Sequence, residues 1–224
     1  MNSKLKIFWY GYGGSSWMAE KLREMIEDDL GMQLITLHEH PDANIQWKLD
    51  TVYEHLKQAD IIILPANFRR QPCKSNNRLT QSMALGKPVI CEPMPSYIPI
   101  VKNYENAIIL KDNSDSEWRH ALVTLKNDEN LRKTLSKNAL KTSKNYNLEE
   151  ISKQWVKALS DLTKNTSEEL DVVIPTKNNI EILDECLKSF KNSTMSENVY
   201  IIDNGDGVED LVKKYNVPYE VVNI

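Results

Sequence analysis

Lys74 and Arg78 bracket the start of a helix predicted over Asn77 to Leu85, with Ser75 or Asn76 as its N-cap. A helix start already presents positive potential through its free N–H groups and dipole, so two cations there are in electrostatic conflict with it. An anion relieves that conflict, and a diphosphate held by backbone N–H groups and both cations is the economical choice. Arginine can chelate phosphate oxygens in a bidentate fork, while lysine acts as a compact point charge. Arg78, Gln81 and Ser82 stand at i, i+3 and i+4, so they form one polar face able to grip phosphate and ribose together, and Asn77 is a further binding candidate. Leu79 and Met83 make the apolar stripe beside it. The plain alternative is an amphipathic helix whose cations point into solvent.

A second candidate is the turn GYGGSS, in which Gly11, Gly13 and Gly14 permit close backbone approach to a ligand. Ser16 stands where the G-x-G-x-x-G dinucleotide fingerprint wants its third glycine, although Glu39 ends the second predicted strand where a ribose-binding acid could sit. A nicotinamide-dependent oxidoreductase therefore stays as a minor alternative, beside a tight connection with no ligand at all. His38 and His40 flank Glu39, and a metal site from this triplet is less favoured than a solvated strand end. No metal is expected.

These residues need a scaffold. Leu5 to Tyr10 is an apolar run, and Ser16 to Leu30 repeats Trp17, Leu22, Met25, Ile26 and Leu30 near helical spacing before the stop at Gly31. Further strands are predicted at Met32 to Leu37, Ile61 to Leu64, Val89 to Cys91 and Asn106 to Leu110, with a helix at Thr51 to Gln58. Three helices follow, Ser116 to Lys126, Glu129 to Tyr146 and Leu148 to Leu162, the last with Asn147 and Glu150 at capping-box spacing. Continuous apolar strands alternating with helices predict an α/β, doubly wound parallel Rossmann-like sheet. After the polar stretch KNTSEE the alternation restarts and yields a truncated βαβαβ unit: strands at Leu170 to Ile174, Val199 to Ile202 and Tyr219 to Val222, helices at Ile180 to Lys191 and Val208 to Tyr215. The predicted division is 1–163, a linker at 164–169, and 170–224. A three-stranded piece exposes sheet edges, so it is expected to dock on the first unit or to pair as a homodimer.

The bulk properties of the 224 residues narrow the classes. A net charge of −4 with interspersed signs argues against nucleic acid as a partner and leaves peripheral membrane contact open. Cys73, Cys91 and Cys186 are widely spaced and free of CxxC pairing, which excludes a disulfide scaffold and fits a cytoplasmic setting.

On the segments ADIIILP, RLTQSMALGKPVI, PSYIPIV, AIIL and DENLRKTLSKNALKTSKNYNLEEISKQW, residues 4 to about 162 resemble the C-terminal, donor-binding half of glycosyltransferases with the GT-B fold. The resemblance implies a UDP- or GDP-sugar donor, no required cofactor, and a full-length parent that transfers sugar to a glycan or cell-surface polysaccharide acceptor. Lys74 and Arg78 would stabilise the leaving nucleoside diphosphate. Trp47 falls in the loop where such donors pack their base and Tyr97 in the turn beside the sugar, although aromatics there are more often packing residues. The two acidic residues of the family pattern fall at Cys73 and Gln81; an amide can still bond ribose hydroxyls, without charge assistance. Catalytic residues are not assigned.

Residues 170 to 204 resemble the start of a GT-A glycosyltransferase of the family-two type, through DVVIPTKNN and VYIIDNGD. Asp203 matches the strand-end acid that reads base and ribose there, with Pro175 and Thr176 shaping the first loop. Neither a GT-B acceptor lobe nor a D-x-D motif is found, so the chain is expected to be a fragment or to work with a partner, and to be nearly silent alone. The rival from another class is a non-catalytic Rossmann-like binding or assembly module. Cys73 and Gln81 favour it; Lys74, Asn77 and Arg78 oppose it.

Overall fold

The computed structural model describes residues 4–66, 74–164, 171–176, 180–191, 198–203, 207–215 and 219–221. Its centre is β4 (Ile61–Leu64), four aliphatic residues each fully buried, as a strand covered on both faces requires. Around it lie β1 (Lys6–Tyr10), β2 (Gln33–His38), β3 (Ile45–Gln46), β5 (Val89–Cys91) and β6 (Ile108–Ile109). All six pair in parallel in the order β3-β2-β1-β4-β5-β6, with Ile7 opposite both Leu34 and Ile61. The order reverses between β1 and β4, and in open sheets of this kind the crevice at the carboxyl ends of such strands is where ligands bind.

Alternate strand residues feed two core layers, as the period of two dictates. Ile7, Trp9, Ile61, Ile63 and Ile90 pack with Leu22, Ile26, Trp118 and Leu122 on one face. On the other face Phe8, Tyr10, Ile62, Leu64 and Cys91 pack with Leu56, Leu79, Met83 and Tyr97. The covering helices are α1 (Trp17–Glu20), α2 (Val52–Leu56), α3 (Asn77–Ala84), α4 (Asp115–Asn127) and α5 (Glu129–Ser143), and α6 (Leu148–Lys164) follows them in the chain. Gly86 ends α3 at φ +65°, a conformation costly for a side chain, and a Cβ there would meet Leu140 of α5 at 3.0 Å.

The segment after β1 departs from the single helix predicted for it. It is a short 3-10 turn at Gly13–Ser15, then α1, then a widened turn over Met25–Asp29 with the Leu30 N–H bonded to Met25 O at 3.0 Å. Trp17 is 52% exposed, and Met18 and Ala19 take the buried positions instead. Arg23 joins Glu20 and Glu27 across this segment, and Glu27 also accepts the Leu34 N–H at 3.1 Å, which ties the widened turn to β2. The two-residue strand β3 carries too short a pattern to be read from sequence.

The chain divides into two compact units, Met1–Ile151 and Ser152–Ile224. The division falls inside α6 rather than at the polar stretch after it, of which residues 165–170 lie outside the described residues. α6 starts as its sequence dictates: Asn147 Oδ1 accepts the Glu150 N–H at 2.8 Å. In the second unit β7 (Asp171–Thr176), β8 (Asn198–Asp203) and β9 (Tyr219–Val221) form a parallel sheet in that order. α7 (Ile180–Lys191) and α8 (Glu209–Tyr215) supply Leu183, Leu187 and Val212 to a core with Ile201 and Val208. Asp184 of α7 accepts from both Lys214 and Tyr215 of α8 at 2.8 Å. Val173 and Tyr200, paired in register, are both exposed. No helix among the described residues is long and apolar enough to cross a membrane.

Candidate active site

Arg78 is held at the mouth of the crevice. Its Nη1 donates to Tyr10 O at the carboxyl end of β1, at 3.1 Å, and its guanidinium also bonds the Tyr97 hydroxyl from the segment after β5. The Tyr10 hydroxyl donates back to Arg78 O at 2.8 Å and lies 3.1 Å from Ser82 Oγ, while burial drives its pKa above the ordinary phenol value. The first turn of α3 is thus clamped to β1 by two reciprocal bonds. A guanidinium has five N–H donors, so these two bonds leave others for a ligand. A Cβ on Gly11 would stand 3.0 Å from Arg78 Nη1 and 3.2 Å from the Trp9 ring, so the glycine makes room for the arginine.

Asn76 is the N-cap residue of α3, and its side chain makes no capping hydrogen bond. Lys74, half-buried, has its ammonium pKa lowered by loss of hydration and then by the Arg78 charge beside it. The two cations are therefore close enough to feel each other at a helix start that lacks a side-chain cap. No acidic residue occupies the first turn of α3. Gln81 is half-buried and Asn77 exposed, whereas Ser82 is fully buried, with its hydroxyl donating to Arg78 O at 2.7 Å. The polar face predicted from spacing is corrected accordingly: Ser82 ties the helix to Tyr10 and does not open to the crevice. Cys73 lies outside the described residues.

The glycine turn contributes space more than donors. The Gly11 N–H goes to Leu37 O at 3.2 Å, and the Gly13 N–H to both carboxylate oxygens of Glu39 at 3.0 and 3.1 Å. A Cβ at Gly13 would stand 2.6 Å from the His40 ring and 2.9 Å from His38 Nδ1; one at Gly14 would stand 2.7 Å from the Tyr12 ring. Glu39 is spent on the turn itself, and its own N–H and that of Gly13 hold its pKa below the usual value. The ribose-binding task imagined for it would require breaking those bonds.

Folding this turn over β2 also corrects the view of a solvated strand end, since His38 is only 1% exposed. His38, His40 and Asp42 each offer an atom within 4.8 Å of the others. Yet His38 Nδ1 accepts the His40 N–H at 3.3 Å, which assigns the proton to Nε2, itself buried without a partner. Neither nitrogen has a free lone pair in this arrangement. Trp47 is 43% exposed, and Tyr97 is buried as a packing residue that braces Arg78. Asp203 ends β8 opposite Thr176 and Val221.

Two residues not marked from sequence matter at this edge. Tyr10 could have been suspected, because alternation in β1 sends it to the same face as α3. Glu92 follows β5 directly and is 4% exposed, with one oxygen, Oε2, unpartnered. Burial raises its pKa to about 6 against hydrogen bonds from the Ala66 backbone and the Trp118 side chain.

Residues 34–142 match the family model for glycosyl transferases group 1. A curated relative, an uncharacterised glycosyltransferase of Methanocaldococcus jannaschii, is 32% identical over 88 residues, which are 39% of this chain and 22% of that protein. Among solved structures, HepE of Anabaena in complex with UDP-glucose shares a TM-score of 0.58 at 14% identity, over 70% of this chain and 49% of that one. A glycosyltransferase of Rickettsia africae gives 0.57 at 14% identity, over 74% and 50%. The pneumococcal O-GlcNAc transferase GtfA, in complex with UDP and GlcNAc, gives 0.55 at 12% identity, over 71% and 36%. The chain thus spans half or less of the length of each of these proteins. Residues 34–142 of the first unit thus resemble group 1 glycosyltransferases, and the six-stranded parallel sheet shares the fold of these solved structures.

Proposed function

We propose that the first unit binds the donor of a sugar-transfer reaction, a nucleoside diphosphate-sugar, with its diphosphate at the start of α3. The observation that carries this reading is Arg78, bonded to the carboxyl end of β1 and braced by Tyr97, with Lys74 beside it. Diphosphate oxygens would take the remaining guanidinium donors, the ammonium and the free N–H groups of the first turn. As the bond from sugar to phosphate breaks, negative charge grows on the leaving diphosphate, and fixed cations stabilise it without reorganising. UDP is the first choice of nucleotide because solved relatives of the same fold carry it. A glycan is the proposed acceptor, and the second unit, with Asp203 at a carboxyl strand end, is proposed as a GT-A-like nucleotide-binding segment.

The test is thermal unfolding of the whole chain with UDP, GDP or NAD. A ligand at about 100 times its dissociation constant adds about 2.7 kcal/mol of stability. Protection by UDP or GDP that disappears in Lys74→Ala and Arg78→Ala is the expected outcome. Protection by NAD alone would transfer the site to a dinucleotide, and protection by none of the three would favour an assembly module.

A further inference from the structure

The site proposed above accounts for the α3 side of the crevice and leaves a cavity on the opposite face of the sheet unexplained. This cavity, of about 60 Å³, lies at the carboxyl ends of the three central strands. Trp17 and Lys21 reach it from the segment after β1, Pro65 from the end of β4, Glu92 from the end of β5, and Trp118 from α4. Its walls combine indole, proline and methylene surface with the polar side chains of Lys21, Asn113 and Asp115 and the carboxyl group of Glu92. Glu92 Oε2 is buried there with no hydrogen-bond partner, and a buried polar atom left unpaired is costly enough that most are satisfied by protein, water or ligand. A space of this size has room for water or for a small polar substituent.

We propose that Glu92 and this cavity form the subsite for one hydroxyl or amino substituent of the transferred sugar. This rests on the donor-site reading, because the diphosphate at α3 anchors the sugar that reaches across the carboxyl ends of β4 and β5. The substituent donates a hydrogen bond to Oε2, with the indoles of Trp17 and Trp118 bounding the space around it. A site built to pair a hydroxyl discriminates strongly against an analogue lacking it, since the carboxyl is then left unpaired again. Glu92 would in this way select among sugars carried on the same nucleotide.

Calorimetric titration of the full chain with UDP, UDP-glucose, UDP-galactose and UDP-N-acetylglucosamine tests this. In the unsubstituted chain at least one sugar nucleotide should bind more tightly than UDP. Glu92→Leu keeps a similar volume and removes both oxygens, whereas Glu92→Gln keeps one. Both should bind UDP within about twofold of the original, which also certifies folding, and Glu92→Leu should lose about tenfold of the preference for the sugar nucleotide over UDP. Glu92→Gln should lie between. UDP binding with no gain from any sugar, or a gain that both variants preserve, overturns the subsite and leaves the diphosphate site standing. Failure of UDP itself to bind overturns both.

Discussion

At the residue scale, Arg78 is braced by Tyr10 and Tyr97, in space that the missing Cβ of Gly11 leaves open. Tyr10→Phe removes the bond to Arg78 O and the contact with Ser82 Oγ inside the core, and should cost about 1 kcal/mol in urea unfolding. Gly13→Ala drives a methyl group into the His38 and His40 rings and should cost about 1–3 kcal/mol by the same measurement. Glu92 gives a pH signature. Its folded pKa of about 6 stands above the ordinary 4.5, so the folded chain holds more protons between those values, and stability falls as pH rises through that window. The loss amounts to about 2 kcal/mol. Lys21 and Asp115 also face the cavity, so the difference between unsubstituted chain and Glu92→Gln isolates the glutamate. That difference should decline from pH 4.5 to 6 and then level off. Lys74 and Arg78 were legible in the sequence because cations at a helix start violate a simple electrostatic preference. Glu92 was not, because nothing in the run VICEP says that its carboxyl turns inward against Trp118.

At the scale of elements, α3 is the device that turns one apolar stripe into site geometry. Leu79 and Met83 are fully buried, so Met83→Ala should cost about 2–5 kcal/mol of stability. Because the same packing fixes the first turn, UDP affinity in that variant should fall along with stability. The strands β4 and β5 and the helix α7 were legible to the residue, since continuous aliphatic runs and a strong period of 3.6 leave little choice. The segment after β1 was not. Its helical pattern is real, but Arg23, Glu20 and Glu27 bind it to β2 and a widened turn interrupts it, effects that arise only from tertiary contacts. Ser82 was misread for a related reason: spacing put it beside Arg78, while its hydroxyl donates back to Arg78 O and its side chain is fully buried.

At the scale of the molecule, the reversal of strand order between β1 and β4 explains why the candidate residues, far apart in sequence, converge. The glycine turn, the start of α3, Glu92 and Tyr97 all follow the carboxyl ends of central strands. The alternation of strands and helices made this architecture legible. Hydrogen exchange should show UDP protecting amides after β1 and in the first turn of α3. The most direct test of the central claim is calorimetric titration of UDP into the chain and into Arg78→Ala. The account predicts saturable binding whose tightest site weakens by about tenfold or more in the variant, as expected for losing charge-assisted hydrogen bonds. Equal affinity in both proteins would contradict it.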